Sequence, residues 1–171
     1  MLQYIASTGT PSGAFLEINN IPDTFNSLMI TGVMSVTGTT VADCYMFFNG
    51  NTASVYNTMY GGLRDSNSNS VYYFSNNEAH FGRGPTDSMN SGYVYAPVYL
   101  EIFAYRGDQP GNLGWYSMAS YIDNASTSQS QFYTGWYSAD ETADLTRIQF
   151  ICSQGNWDAD TKLNLYGRTT S

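Results

Sequence analysis

Tyr93-Val94-Tyr95-Ala96-Pro97-Val98-Tyr99-Leu100-Glu101-Ile102-Phe103-Ala104-Tyr105-Arg106 alternates two kinds of side chain along its whole length. One parity is aliphatic: Val94, Ala96, Val98, Leu100, Ile102 and Ala104. The other is aromatic: Tyr93, Tyr95, Tyr99, Phe103 and Tyr105, interrupted by Pro97 and Glu101. A period of two belongs to a β-strand, whose successive side chains point to opposite faces. The aliphatic set is the natural core face. Pro97 has no amide to donate and marks an edge or a bulge, where one long strand bends between two sheets.

The same alternation recurs on either side. Leu28, Ile30, Gly32, Met34 and Val36 share a face, as do Cys44, Met46 and Phe48, then Ile148, Phe150 and Cys152, and finally Leu163 and Leu165. Weaker strand signals cover 15–18, 71–75, 113–122 and 131–137. Clusters of Gly, Ser, Thr, Asn and Asp at 8–13, 37–40, 65–70, 82–92, 107–114, 123–130 and 153–160 supply the turns. Short strands at this spacing predict a sandwich or a barrel. Only 53–63 breaks the pattern, because Tyr56, Met59, Tyr60 and Leu63 fall at helical spacing. That stretch reads equally as a short helical turn or as an irregular connection. The expected fold is therefore all-β, an antiparallel jelly-roll sandwich with at most one short helical turn. Residues 1–24 are expected to form an N-terminal strand or arm, packed on the domain or on a neighbour, and 25–171 the domain itself.

Composition narrows the function. Of 171 residues only 12% are charged, and the net charge is −8; about 25% charged is usual. Six scattered basic groups cannot line the cationic track that phosphate backbones or anionic membranes require, so neither is an expected partner. No apolar run approaches the roughly 20 residues of a membrane helix, and the start of the chain has no signal-peptide pattern, so a protein made in a cytoplasm is expected. Cys44 and Cys152, each among alternating apolar residues, read as free core thiols ahead of a bridge.

Catalytic chemistry has little to stand on. His80 is the only histidine and Lys162 the only lysine, which disfavours histidine metal sites and most acid–base pairs. Glu101, amid Tyr99 and Phe103, is the one carboxylate placed like a glycosidase acid. It lacks a second acid at strand spacing, and Arg106 is its expected partner. The acidic groups Asp140-Glu141 with Asp144, and Asp158 with Asp160, read as turn capping and solvation ahead of a calcium loop. Asn124-Ala125-Ser126 fits a glycosylation sequon without a secretory context. No cofactor, metal or catalytic residue is expected.

The aromatic surplus is the positive signal: 16% of the chain, with fifteen tyrosines. Tyr93, Tyr95, Tyr99, Phe103 and Tyr105, joined by Trp136, are the candidate partner and assembly surface. Displayed rings offer large apolar area with few rotors to freeze. The competing reading buries them as a second inner face of the sandwich.

An ordered set of motifs adds a resemblance. These are Phe25-Asn26-Ser27-Leu28-Met29-Ile30, then Phe47-Phe48-Asn49-Gly50-Asn51-Thr52 followed by Tyr56, then Glu101-Ile102-Phe103-Ala104-Tyr105, then Leu145-Thr146-Arg147-Ile148-Gln149-Phe150, and last Leu165-Tyr166-Gly167. Together they resemble small jelly-roll virion proteins of tailed bacteriophages, the group of capsid decoration (cement) proteins and tail or head-fibre domains. The chain departs from that pattern at Asn51 and Arg168, where an acidic and a hydrophobic residue are usual. The resemblance implies a jelly roll, a place on the virion and no catalytic residues. Its first implication is a capsid decoration protein, a homotrimer on the capsid exterior, with the major capsid protein and copies of itself as partners. The alternative is a glycan- or receptor-binding module of a fibre; a glycoside-active enzyme resting on Glu101 comes third.

Overall fold

The computed structural model describes residues 1–11, 13–38, 40–64, 70–76, 78–85, 95–106, 112–122, 128–138 and 144–169, with backbone alone at 63–64, 70–76, 122 and 128. Twelve strands follow in order: β1 (Leu2–Ser7), β2 (Phe15–Asn19), β3 (Ser27–Met34), β4 (Ala42–Phe48), β5 (Tyr56–Arg64), β6 (Ser70–Asn76), β7 (Ala79–Gly84), β8 (Ala96–Phe103), β9 (Gly114–Ile122), β10 (Ser128–Tyr137), β11 (Arg147–Cys152) and β12 (Lys162–Arg168). They form an eight-stranded sheet, β1-β12-β3-β8-β9-β10-β5-β6, and a four-stranded sheet, β2-β11-β4-β7. Every pairing is antiparallel. The protein is an all-β sandwich.

The aliphatic parities meet between the sheets. Leu28, Ile30 and Met34 of β3, Val98, Leu100 and Ile102 of β8, and Leu163 and Leu165 of β12 are buried from the large sheet. Leu16, Ile18, Cys44, Met46, Phe48, Ile148 and Phe150 face them from the small one. Each side chain removed from water in this way contributes about 1.5–3 kcal/mol, which makes the alternation the main determinant of register. Neither the helical turn nor the irregular connection expected at 53–63 holds from Tyr56 on: β5 runs through it as a strand between β10 and β6. Tyr56 and Thr58 point inward and Met59 outward. The ladders on both sides satisfy the backbone amides that a helical turn would otherwise have bonded, and tertiary pairing overrides the local spacing.

Two tyrosines secure the chain where it changes sheet. After β4, Asn49 and Gly50 take φ values of 51° and 72°, and the Asn51 N–H donates to the Phe48 carbonyl at 3.0 Å. These are the signs of a type I′ turn, which Asn-Gly favours because neither residue is strongly penalised at positive φ. The Tyr56 hydroxyl then donates to the Asn51 carbonyl at 2.7 Å and accepts the Phe48 N–H at 3.1 Å. Asn49 Oδ1 accepts the N–H groups of Thr146 and Arg147 at 2.9 and 3.1 Å, which sets the start of β11.

Tyr105 makes the second clamp and corrects an expectation. It is 1% exposed, so it does not belong to the aromatic surface. Its hydroxyl donates to the Pro22 carbonyl at 2.8 Å and accepts the Phe25 N–H at 3.0 Å. The cause is Ala104, whose φ of 49° reverses the alternation after Phe103 and turns the next side chain into the core.

Candidate interaction surface

On the outer face of the large sheet, the outward residues of neighbouring strands align in rows. Register places Tyr99, Met118 and Phe132 side by side across β8, β9 and β10, with the Phe132 ring lying over Gly61 of β5. The next row runs Tyr4, Tyr166, Met29, Glu101, Tyr116, Thr134 and Met59 across seven strands. A third holds Phe103 and Trp136 on either side of Gly114. Exposures of 50% for Met118, 43% for Phe103, 41% for Trp136, 39% for Met59 and 38% for Phe132 show that no layer of this chain's described residues covers the face.

Of the candidate residues, Tyr95, Phe103 and Trp136 are exposed and Tyr99 is half-buried on this side. The Tyr95 hydroxyl donates to Asp160 at 2.8 Å. Tyr105 is buried, as described above, and Tyr93 lies outside the described residues, as do Asp140, Glu141 and the sequon 124–126. Tyr116, part of the aromatic surplus, shares the face, as do Met118 and Phe132, which were not candidates, and Met59, which was read at helical spacing instead. The signal for Tyr116, Met118 and Phe132 was present in the 113–122 and 131–137 stretches, where both parities carry large apolar groups.

Glu101 is a carboxylate on this outer face, yet it is 8% exposed. Tyr99, Phe103, Met29 and Tyr116 wall it in by their places in the rows. Its Oε1 takes the Arg168 guanidinium at 2.6 Å and the Ser27 hydroxyl at 3.4 Å, and its Oε2 takes the Tyr99 hydroxyl at 2.9 Å. The expected partner Arg106 is not among them; its Nη1 donates to the Asp23 carbonyl at 3.5 Å. A buried carboxylate requires such donors, since leaving the charge unpaired costs several kcal/mol. The pairing also leaves the centre of the face without an unpaired charge.

The seam between the sheets is different in character. Asp43, Tyr60, His80, Arg83 and Tyr133 line a crevice of about 70 Å³, where β4 and β7 meet β5 and β10. Arg83 Nε donates to Asp43 Oδ1 at 2.5 Å, and Tyr60 stacks on Tyr133 with centroids 5.4 Å apart. The strand that carries His80 and Arg83, β7, was unexpected, because Gly82 and Gly84 read as turn residues. They are strand residues facing inward: a methyl group at 82 would sit 2.6 Å from Met34 Cε, so the missing side chain lets the opposite sheet approach.

Burial pushes the His80 imidazole below its ordinary value of 6.5, against the pull of Asp43. The contact of its Nε2 with Glu78 at 3.9 Å is then not an ion pair near neutral pH. A lowered folded value means that the unfolded chain binds the proton more readily. This contribution to stability is therefore complete above 6.5 and is lost as pH falls toward the folded value. Glu78 acts in the opposite direction, since burial and Asp43 raise it. Comparison with His80→Gln isolates the imidazole. Between pH 7 and 5 the native urea midpoint should fall relative to that of the variant, and parallel curves would contradict the assignment.

Among the described residues no three His, Cys, Asp or Glu side chains group as metal ligands. The chain matches no protein-family model and no curated protein sequence.

Proposed function

We propose that the protein is a non-enzymatic virion structural protein of the capsid-decoration kind. On this reading it adheres through the outer face of its large sheet to the major capsid protein and to neighbouring copies, as a homotrimer on the capsid exterior. The observation that carries the reading is the row of Tyr99, Met118 and Phe132, flanked by Met59, Phe103 and Trp136, on a face where Glu101 is paired with Arg168. Strand spacing gives four strands and three rows a footprint of roughly 400 Å², and with Gly61, Gly114, Asn57, Glu101 and Thr134 among the positions the apolar part is roughly 200 Å². At ~25 cal/mol per Å² that is about 5 kcal/mol, comparable with the 4–15 kcal/mol that association costs. One such contact is weak. A lattice of many copies, each held at several points, turns it into stable adhesion.

The experiment is a count. Purified virions should contain this chain in tens to hundreds of copies on a stained gel, and a handful of copies would refute the capsid assignment.

A second reading is supported by Phe103 and Trp136. They flank Gly114 and leave a shallow trough between two exposed rings, a surface on which sugar rings stack. Under that reading the chain is a glycan-binding module of a fibre, and Trp136→Ala abolishes glycan-array binding.

A further inference from the structure

Cys44 and Cys152 stand directly opposite each other on the antiparallel strands β4 and β11, and both are buried free thiols. The backbone bonds at the two ends of this ladder define their place in it. Ser153 N–H donates to the Asp43 carbonyl and Asn49 N–H to the Arg147 carbonyl, each at 2.9 Å. Residues 43 with 153 and 49 with 147 are therefore hydrogen-bonded pairs. Alternation along the ladder then makes Cys44 and Cys152 a non-hydrogen-bonded pair, the kind whose side chains approach most closely. In such a pair the Cα atoms lie about 4.5 Å apart, inside the span of roughly 4.4–6.8 Å that a disulfide bridges.

Both side chains also point to the same side, into the core. The sulfurs are at present turned to carbonyls, Cys44 Sγ toward Ala42 and Cys152 Sγ toward Gly155, each at 3.7 Å. Closure therefore needs side-chain rotation, not displacement of a strand.

We propose that Cys44 and Cys152 are a cross-strand disulfide site, a covalent staple between β4 and β11 that closes when the folded protein meets a small-molecule disulfide. Cys152 reacts first. It is the last residue of β11, followed by the exposed Ser153-Gln154-Gly155 turn, whereas Cys44 is wholly enclosed. The Cys152 thiolate attacks one sulfur of the small disulfide; that S–S bond breaks, and the departing thiolate takes up a proton. The Cys44 thiolate then attacks the Cys152 sulfur and releases the second small thiol. Two protein thiols are oxidised and one disulfide is reduced to two thiols, so atoms and electrons balance. Burial raises both thiols, which keeps the exchange slow and routes it through opening of the strand end.

The closed loop spans about 110 residues, and constraining a loop of that length in the unfolded chain favours the folded state by roughly a thousandfold. By linkage, the folded chain must favour closure over the unfolded chain by the same factor. The test equilibrates the protein, native and in concentrated urea, across a series of reduced and oxidised glutathione buffers, traps free thiols by alkylation and weighs the products. The expected product is an intramolecular bridge, lighter by two hydrogens. It should form in the native protein at glutathione ratios about a thousandfold more reducing than in urea. Tm should rise on closure and return with dithiothreitol, and Cys152→Ala should show no such rise. Glutathione retained on both cysteines, disulfide-linked dimers, thiols that survive where the unfolded chain has oxidised, or equal closure in the two states would each overturn the proposal. The equilibrium comparison needs no variant, so it stands even if a substitution impairs folding.

Discussion

A chain carrying Met118→Lys and Phe132→Lys is expected to fold and to lose adhesion, binding at least about 100-fold more weakly per contact, which is near 3 kcal/mol. Both side chains point outward from adjacent strands, at 50% and 38% exposure. Folding therefore loses only the packing of Phe132 over Gly61, about 1 kcal/mol or less on the scale of surface changes. The interface loses far more. Two ammonium groups in the row of Tyr99 must be stripped of water against an apolar partner, and an unpaired charge so buried costs several kcal/mol. The measurements are sedimentation velocity for self-association and co-sedimentation with particles that lack the protein. Phe15→Lys is the control: Phe15 is 55% exposed but lies on the outside of the small sheet. If that variant disrupts adhesion equally, the large-sheet face is not the contact.

Trp115→Ala should produce the largest loss of stability, about 3–5 kcal/mol. The indole is 1% exposed and sits between the sheets, with ring centroids 5.8 Å from Phe48 and 6.4 Å from Tyr56. Its Nε1 donates to the His80 carbonyl at 3.1 Å, which ties β9 of one sheet to β7 of the other. Truncation leaves a cavity, opens the aromatic cluster beside the Tyr56 clamp and takes away the N–H that the His80 carbonyl accepts. Trp136→Ala, on the neighbouring strand but 41% exposed, should cost under about 1 kcal/mol. Urea unfolding followed by circular dichroism separates the two. Similar midpoints for both variants would mean that Trp115 does not hold the sheets together.

The strands whose parities differ sharply were legible from the sequence. β4, β8 and β12 carry aliphatics on one side only, and β3 and β11 nearly so, with Val33 and Ile151 the departures, so the hydrophobic period defines both the element and its buried face. β5 was not legible, because Tyr56, Met59 and Tyr60 satisfy a helical spacing, and only the ladders to β10 and β6 settle the matter. β7 was hidden by Gly82 and Gly84, whose reason is contact with the opposite sheet and not a turn. The aromatic surface was visible in part. The outward run from Tyr95 to Phe103 obeys the period, but a single positive φ at Ala104 moved Tyr105 from surface to core, and no composition rule signals that. Glu101 shows the same limit: its cation comes from Arg168, two strands away in the sheet, while the local candidate Arg106 turns elsewhere.

The strand order carries a consequence for the birth of the molecule. β11 lies between β2 and β4, and β12 between β1 and β3, so two strands that leave the ribosome after the other ten are interior members of the two sheets. Neither sheet has its full hydrogen-bonded order until β11 and β12 have been made. Pairings this distant along the chain place folding on the millisecond-to-second scale typical of non-local β topologies. A nascent chain therefore cannot complete the large sheet before β12 has taken its place between β1 and β3.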